Sequence, residues 1–207
     1  MKVLLVNGSS RPNGCTYTAL AEIEKTLKDH MIETEIYHLG SEPIRDCTGC
    51  GVCRKNEAKC IIEDKVNEFA QKAKIAHGFI FGSPVYYAHP SGRLLSFMDR
   101  LFYSAGENLK FKPAAAVVSA RRAGTTASID PIVKHFTINQ MPVISSNYWN
   151  MVHGNTPEEV KQDLEGMQIM RNLGHNMAWL LNCIEAGKTA GIKYPQIEDK
   201  IWTNFIR

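Results

Sequence analysis

The stretch Lys2-Val3-Leu4-Leu5-Val6-Asn7-Gly8-Ser9-Ser10-Arg11-Pro12-Asn13-Gly14-Cys15-Thr16 decides the fold. Its short apolar run ends in Gly8-Ser9-Ser10, which reads as a buried strand meeting a loop. From Thr16 the apolar residues change to helical spacing, with Leu20, Ile23 and Leu27 on one face. The same alternation continues outward. Glu33 to Leu39 reads as a second strand with Ile36 opposite polar neighbours, and Asp64 is placed to cap a helix carrying Val66, Phe69, Ala70 and Ala73. His77 to Ser83 is a third strand, stopped by Pro84. Ser91 caps a helix with Leu94, Leu95, Met98, Leu101 and Phe102 on its apolar face. Ala114 to Ser119 is a fourth strand, followed by a helix over Thr126 to Asn139 and a fifth strand over Pro142 to Ser146. Thr156-Pro157-Glu158-Glu159 is a capping box with proline at the first helical position, opening a helix expected to run to Gly187.

Five strands alternating with helices predict an α/β fold with a doubly wound parallel sheet. With no internal repeat or linker, the expectation is one domain over 1–187 with a cysteine-rich loop at 46–61. The tail, 188–207, carries Tyr194, Trp202 and Phe205 for docking on the body or on a partner subunit. The length of 207 residues fits one well-buried domain, and 44% apolar with 22% charged residues is ordinary for a globular protein. A net charge of +3 without a basic run argues against nucleic-acid binding. No stretch approaches the roughly eighteen apolar residues a membrane span needs. The N-terminus reads as a first strand rather than a secretory signal, so a cytoplasmic protein is expected. Six cysteines there are expected to be reduced, metal-bound or redox-active rather than paired in disulfides.

Ligands of such sheets bind beyond the C-terminal strand ends. The first loop offers hydroxyls at Ser9, Ser10 and Thr16, an amide at Asn13 and the Arg11 guanidinium, with a helix N-terminus behind them. That set suits a phosphate monoester. Five residues separate Gly8 from Gly14 and no lysine follows, so it is not a nucleotide triphosphate loop, and the dinucleotide signature is absent. An ordinary strand-to-helix turn would use the same residue types. Gly82-Ser83-Pro84-Val85-Tyr86-Tyr87-Ala88 bends at the third strand end, where two aromatics suit a planar ring or simply pack in the core. Ser119-Ala120-Arg121-Arg122-Ala123-Gly124 brings two cations to the same face, able to grip phosphate or to lie solvated in a basic turn. His89 and His153 follow the third and fifth strands, each placed either to protonate a reduced acceptor or, as histidines more often do, to serve structure or solvent. Tyr148-Trp149-Asn150 would shape an acceptor pocket or a dimer contact. Cys15, at a helix N-terminus, is expected to have a lowered pKa, and Cys183 to lie in the core.

Cys47-x2-Cys50-x2-Cys53-x6-Cys60 is the sharpest local pattern. Closely spaced thiolates on a loop freed by Gly49 and Gly51 can wrap one cubane. Structural zinc more often takes two separated pairs, and free thiols are a further reading.

Taken with Phe97-Met98-Asp99-Arg100, these segments make the chain resemble the flavodoxin-like NAD(P)H-dependent FMN reductases, and within them the iron–sulfur flavoproteins. The resemblance covers about residues 1–150. It implies a flavodoxin-like five-stranded sheet with FMN at the strand ends. By position, Ser9, Arg11, Asn13, Cys15 and Thr16 would hold the FMN phosphate. Pro84, Val85, Tyr86 and Tyr87 would line the isoalloxazine, flanked by Ser119 and the residues up to Gly124, Arg122 among them. Cys47, Cys50, Cys53 and Cys60 would be the ligands of a [4Fe–4S] cluster. The implied activity passes electrons from NAD(P)H through FMN to a quinone, an azo or nitro compound, a flavin or a protein acceptor. The alternative is a one-electron carrier working with a ferredoxin-like partner. A homodimer or homotetramer is implied as well.

Overall fold

The computed structural model describes residues 1–56, 59–203 and 205. Strand β1, Lys2–Asn7, is buried from Val3 onward, and its side chains alternate between two cores: Val3 and Leu5 enter one, Leu4 and Val6 the other. That is why the run is continuously apolar, since a strand covered on both faces has no wet side. Helix α1, Cys15–Asp29, buries Leu20, Ile23 and Leu27 and returns the chain to β2, Glu33–His38, which pairs parallel to β1. Asp64 accepts the Val66 N–H and starts α2, Lys65–Ile75, as the sequence predicts. Then come β3, Gly78–Tyr86, the two-residue β4, His89–Pro90, and α3, Gly92–Ala105, capped by Ser91. Strand β5, Ala114–Ala120, precedes α4, Thr125–Ile138, and β6, Met151–His153. Helices α5, Pro157–Gln162, and α6, Leu164–Thr189, complete the order.

The parallel strands run β2-β1-β3-β5-β6, with β4 turned back antiparallel on β3. Without β4 this is the flavodoxin-like order, which reverses direction beside β1 and leaves a crevice there. Helices α2, α3 and α4 cover one face around Phe69, Phe81, Phe97 and Phe136; α1, α5 and α6 cover the other. Gly174 in α6 lets the two helices of that second layer approach, because a Cβ there would stand 2.8 Å from the Thr26 Cβ.

Four expectations need correction. The fifth sheet position is filled in two pieces. The 142–144 segment pairs only at the bottom of β5, through one bridge between Val143 and Ala114, and the strand proper is Met151–His153 opposite Val118–Ala120. The chain between them leaves the sheet because α6 holds it: Asn176 donates to the Ser145 carbonyl and the Ser146 hydroxyl to the Ile169 carbonyl. Pro84 does not stop β3, which continues to Tyr86; β1 has ended opposite Gly82, so a residue lacking N–H leaves no gap in that ladder. The long C-terminal helix breaks at Asp163, whose carboxylate caps α6 by accepting the Gly166 N–H and also takes the His153 N–H at 2.6 Å. Cys183 is exposed, since the buried face of α6 runs through Leu173, Met177 and Leu181. Among the described residues, no helix is long and apolar enough to cross a membrane.

Candidate functional site

At the C-terminal ends of β1, β3, β5 and β6 the chain encloses an open cleft of about 220 Å³. Its floor is the loop after β1. Asn7, fully buried, takes the Ser9 N–H on its Oδ1 and donates its Nδ2 to the Pro12 carbonyl, so the loop is closed by one side chain from beneath. The Ser9 Oγ accepts the Arg11 N–H, and the His38 Nε2 lies 2.9 Å from the Ser9 carbonyl. Gly8 sits against β3, its N–H donating to the Gly82 carbonyl at 2.8 Å while the Ser91 hydroxyl donates to its own carbonyl. Helix α1 starts at Gly14 without a side-chain cap and without an acidic residue in its first turn. Its first N–H groups therefore remain available to an anion. The Thr16 and Ser119 hydroxyls meet at 2.9 Å across the cleft.

Of the twelve residues assigned to a flavin from the sequence, Ser9, Arg11, Cys15, Thr16, Pro84, Val85, Tyr86 and Ser119 line this cleft together. Asn13 turns to a different surface, beside Tyr17 and Pro157. Tyr87 stands in solvent at a φ of 51°, with Ala88 at 57°, as the two-residue turn between β3 and β4. Arg122 is exposed, and Arg121 takes the place at the cleft instead. Gly124, at a φ of 90°, begins α4 where a Cβ would stand 2.6 Å from the Ala88 Cα. Its part is to let the β3–β4 turn pack close. Gly154 and Asn155 also line the cleft; the sequence pattern places the fifth strand at Pro142 to Ser146 and so misses them, although Met151-Val152-His153-Gly154-Asn155 carries the same strand-then-turn pattern. Neither His89 nor His153 lines the cleft; the His153 Nδ1 lies 3.7 Å from Asp163. Burial pushes the Cys15 thiol up, against the pull of a backbone hydrogen bond and the Arg11 charge, and the sulfur donates to the Gly154 carbonyl at 3.6 Å. The aromatic pair Tyr148 and Trp149 is exposed, edge to face.

A second site lies over α3. Cys47, Cys50, Cys53 and Cys60 all line one small cavity of about 20 Å³, closed below by Arg100 and Tyr103. Cys47 and Cys50 are exposed, whereas Cys53 is buried and Cys60 partly so. Burial pushes the Cys53 thiol up. Asn67 of α2 clamps the Cys60 backbone on both sides, accepting its N–H at 2.9 Å and donating to its carbonyl at 2.8 Å. Gly49 and Gly51 take positive φ of 66° and 70°, with open space where a Cβ would stand, which lets the intervening chain turn between cysteines. Helix α3 pins both ends of the segment. Arg93 donates to the carbonyls of Gly40 and Ser41, and Arg100 to those of Arg45 and Ile62 and to the Asp64 carboxylate. Burial works against the Arg100 charge, but the hydrogen bonds to Asp64 and Cys60 together more than offset it. Among the described residues, no three His, Cys, Asp or Glu side chains converge on a position for a single metal ion.

An open parallel sheet with a Gly- and Ser-rich loop after its first strand and an adjoining cleft at its switch point defines a protein of the flavodoxin-like class. Comparison with known proteins agrees. The NADPH-dependent FMN reductase family matches residues 1–156. An iron–sulfur flavoprotein of Methanocaldococcus jannaschii is 36% identical over 193 residues, spanning 89% of this chain and 100% of that one. Among solved structures, RosB with a bound formylated riboflavin phosphate superposes with a TM-score of 0.69 at 15% identity, covering 100% of this chain and 94% of that one. An archaeal flavodoxin gives 0.58 at 17% identity, covering 88% and 99%. The chain belongs to the NADPH-dependent FMN reductase family and is a flavin-dependent oxidoreductase.

Proposed function

We propose that this protein takes electrons from NAD(P)H, passes them through FMN held in the β1–β3–β5 cleft, and carries a [4Fe–4S] cluster on Cys47, Cys50, Cys53 and Cys60. The observation that carries the reading is that all four cysteines line one cavity, together with a buried arginine. A cubane takes one thiolate at each of four irons, and four cysteines lining one cavity offer that donor set. Asn67 and Arg100 hold the Cys60 backbone and sulfur, while Cys47 and Cys50 lie exposed.

In the cleft, the Ser9 hydroxyl, the Arg11 guanidinium and the uncapped start of α1 would bind the FMN phosphate, with Asn7 holding the loop in shape. The backbone of Pro84 to Tyr86 would face the ring, and Arg121 would offset negative charge there. Bound FMN supplies hydride and single-electron chemistry, which the protein tunes by position and charge. A bound cluster supplies one-electron transfer to a ferredoxin-like protein. Without iron the reading becomes two-electron reduction of a quinone, an azo or nitro compound or a flavin. The tail supports self-association as a dimer or tetramer, since Ile192, Ile201, Trp202 and Phe205 are exposed. A reducing cytoplasmic location belongs to the same reading, since it preserves free thiols.

The test is an absorption spectrum of anaerobically purified protein with FMN, iron and labile sulfide measured on one sample. About four irons and four sulfides per chain, as a full cubane requires, support the cluster. Flavin without iron after anaerobic reconstitution leaves the two-electron reductase. A colourless protein that binds no FMN refutes both.

A further inference from the structure

Among the described residues, Arg100 is the largest fully buried side chain, with 1% of its surface exposed. Holding Asp64 and the loop carbonyls accounts for both guanidinium ends, yet two features exceed that task. Its Nη2 also stands 3.4 Å from the Cys60 Sγ. Its Nε is buried and has no hydrogen-bond partner, while the side chain lines the cavity that the four cysteines share. A buried N–H without an acceptor costs free energy unless a ligand meets it. Asp64, with 27% of its side chain exposed, leaves the pair unevenly solvated, so the arginine's charge is the more deeply buried of the two.

We infer that Arg100 is a positioning residue for the cluster on the cysteine loop: its guanidinium donates to the Cys60 sulfur and toward the cavity, and so raises the reduction potential of the group held there. This rests on the cluster reading above. Reduction adds one electron to the cluster, and a fixed donor and positive charge at a ligand sulfur favour the more negative state. Asp64 acts in the opposite sense, because its carboxylate offsets the arginine.

The experiment measures the cluster midpoint potential by redox titration monitored by electron paramagnetic resonance, with the FMN potential of the same sample as internal reference. It compares the full-length wild type with Arg100→Gln, Arg100→Lys and Asp64→Asn; asparagine preserves the cap on α2. The expected result is a lower cluster potential in Arg100→Gln, a higher one in Asp64→Asn, and an FMN potential that moves less than either. Arg100→Lys, which keeps the charge but not the fork, falls between wild type and Arg100→Gln. Loosening of the loop alone would drive the two main variants the same way. Shifts of one sign, or none in variants that retain full iron, overturn the inference while leaving the cluster intact. If Arg100→Gln fails to fold, Arg100→Lys and Asp64→Asn still give shifts of opposite sign or refute it. Wild type that takes up no iron under anaerobic reconstitution refutes the cluster reading and this inference with it.

Discussion

Gly8→Ala tests the cleft at its most crowded point. The Gly8 N–H donates to the Gly82 carbonyl at 2.8 Å, and a Cβ at residue 8 would stand 2.8 Å from that same oxygen and 2.9 Å from the Leu94 Cβ. Neither neighbour can swing aside, since one is backbone inside the sheet and the other is the first carbon of a buried side chain. Overpacking of this kind costs about 1–3 kcal/mol. Separating β1 from β3 also stretches the Gly8–Gly82 bond and the Ser91 hydroxyl bond to Gly8 at 2.9 Å, adding about 1 kcal/mol. A total of about 2–4 kcal/mol lowers Tm by about 4–16 °C in a chain of this size. Because the strain falls at the start of the loop proposed to hold the FMN phosphate, FMN affinity should drop at least about tenfold, the equivalent of 1.4 kcal/mol. Gly92→Ala is the control: nothing lies within 4 Å of its Cβ position, and about 0.5 kcal/mol of stabilisation is expected. Calorimetry and a flavin fluorescence titration read both effects. A Gly8→Ala protein with wild-type Tm and wild-type FMN affinity would refute the claim that the loop is positioned by backbone contact with β3.

Arg11→Ala removes an exposed guanidinium from the cleft and should weaken FMN binding about ten- to hundredfold, the worth of a charge-assisted hydrogen bond, with Tm nearly unchanged. Equal FMN affinity would show that the phosphate is held without it. Burial, with Lys188 nearby, lowers the Lys112 pKa from 10.5 to about 8, so between those values the unfolded chain binds more protons and wild-type stability should rise with pH relative to Lys112→Met. The ammonium is only half-buried, so screening reduces the gain to about 1 kcal/mol, readable by urea titrations at pH 7.5 and 10; a flat difference excludes the shift. Gly174→Ala pushes α6 from α1 against the Thr26 Cβ and should cost about 1 kcal/mol net of its better helix propensity, leaving FMN affinity intact. A more stable variant would mean that the two helices have room to part.

The class of fold was legible in the chain because its signals are local. Val3 to Val6 is continuously apolar, Leu20, Ile23 and Leu27 recur at helical spacing, and Asp64 and Ser91 cap the helices they precede. Each of these depends on neighbours within a few residues, so periodicity and capping chemistry read them directly. The first loop and the spacing of the four cysteines were legible for the same reason. Tertiary structure decided what depends on partners far along the chain. The fifth strand is Met151–His153 because its excursion is tied to α6, a contact between residues about thirty positions apart. Arg121 rather than Arg122 reaches the cleft, and Gly154 and Asn155 join it, because β5 and β6 end side by side. Arg100 reads in the sequence only as the last residue of the Phe97-Met98-Asp99-Arg100 segment, with no partner assigned. Only packing places it under Cys60 and beside Asp64, because burying a charge requires partners that the fold, not the helix, brings within reach.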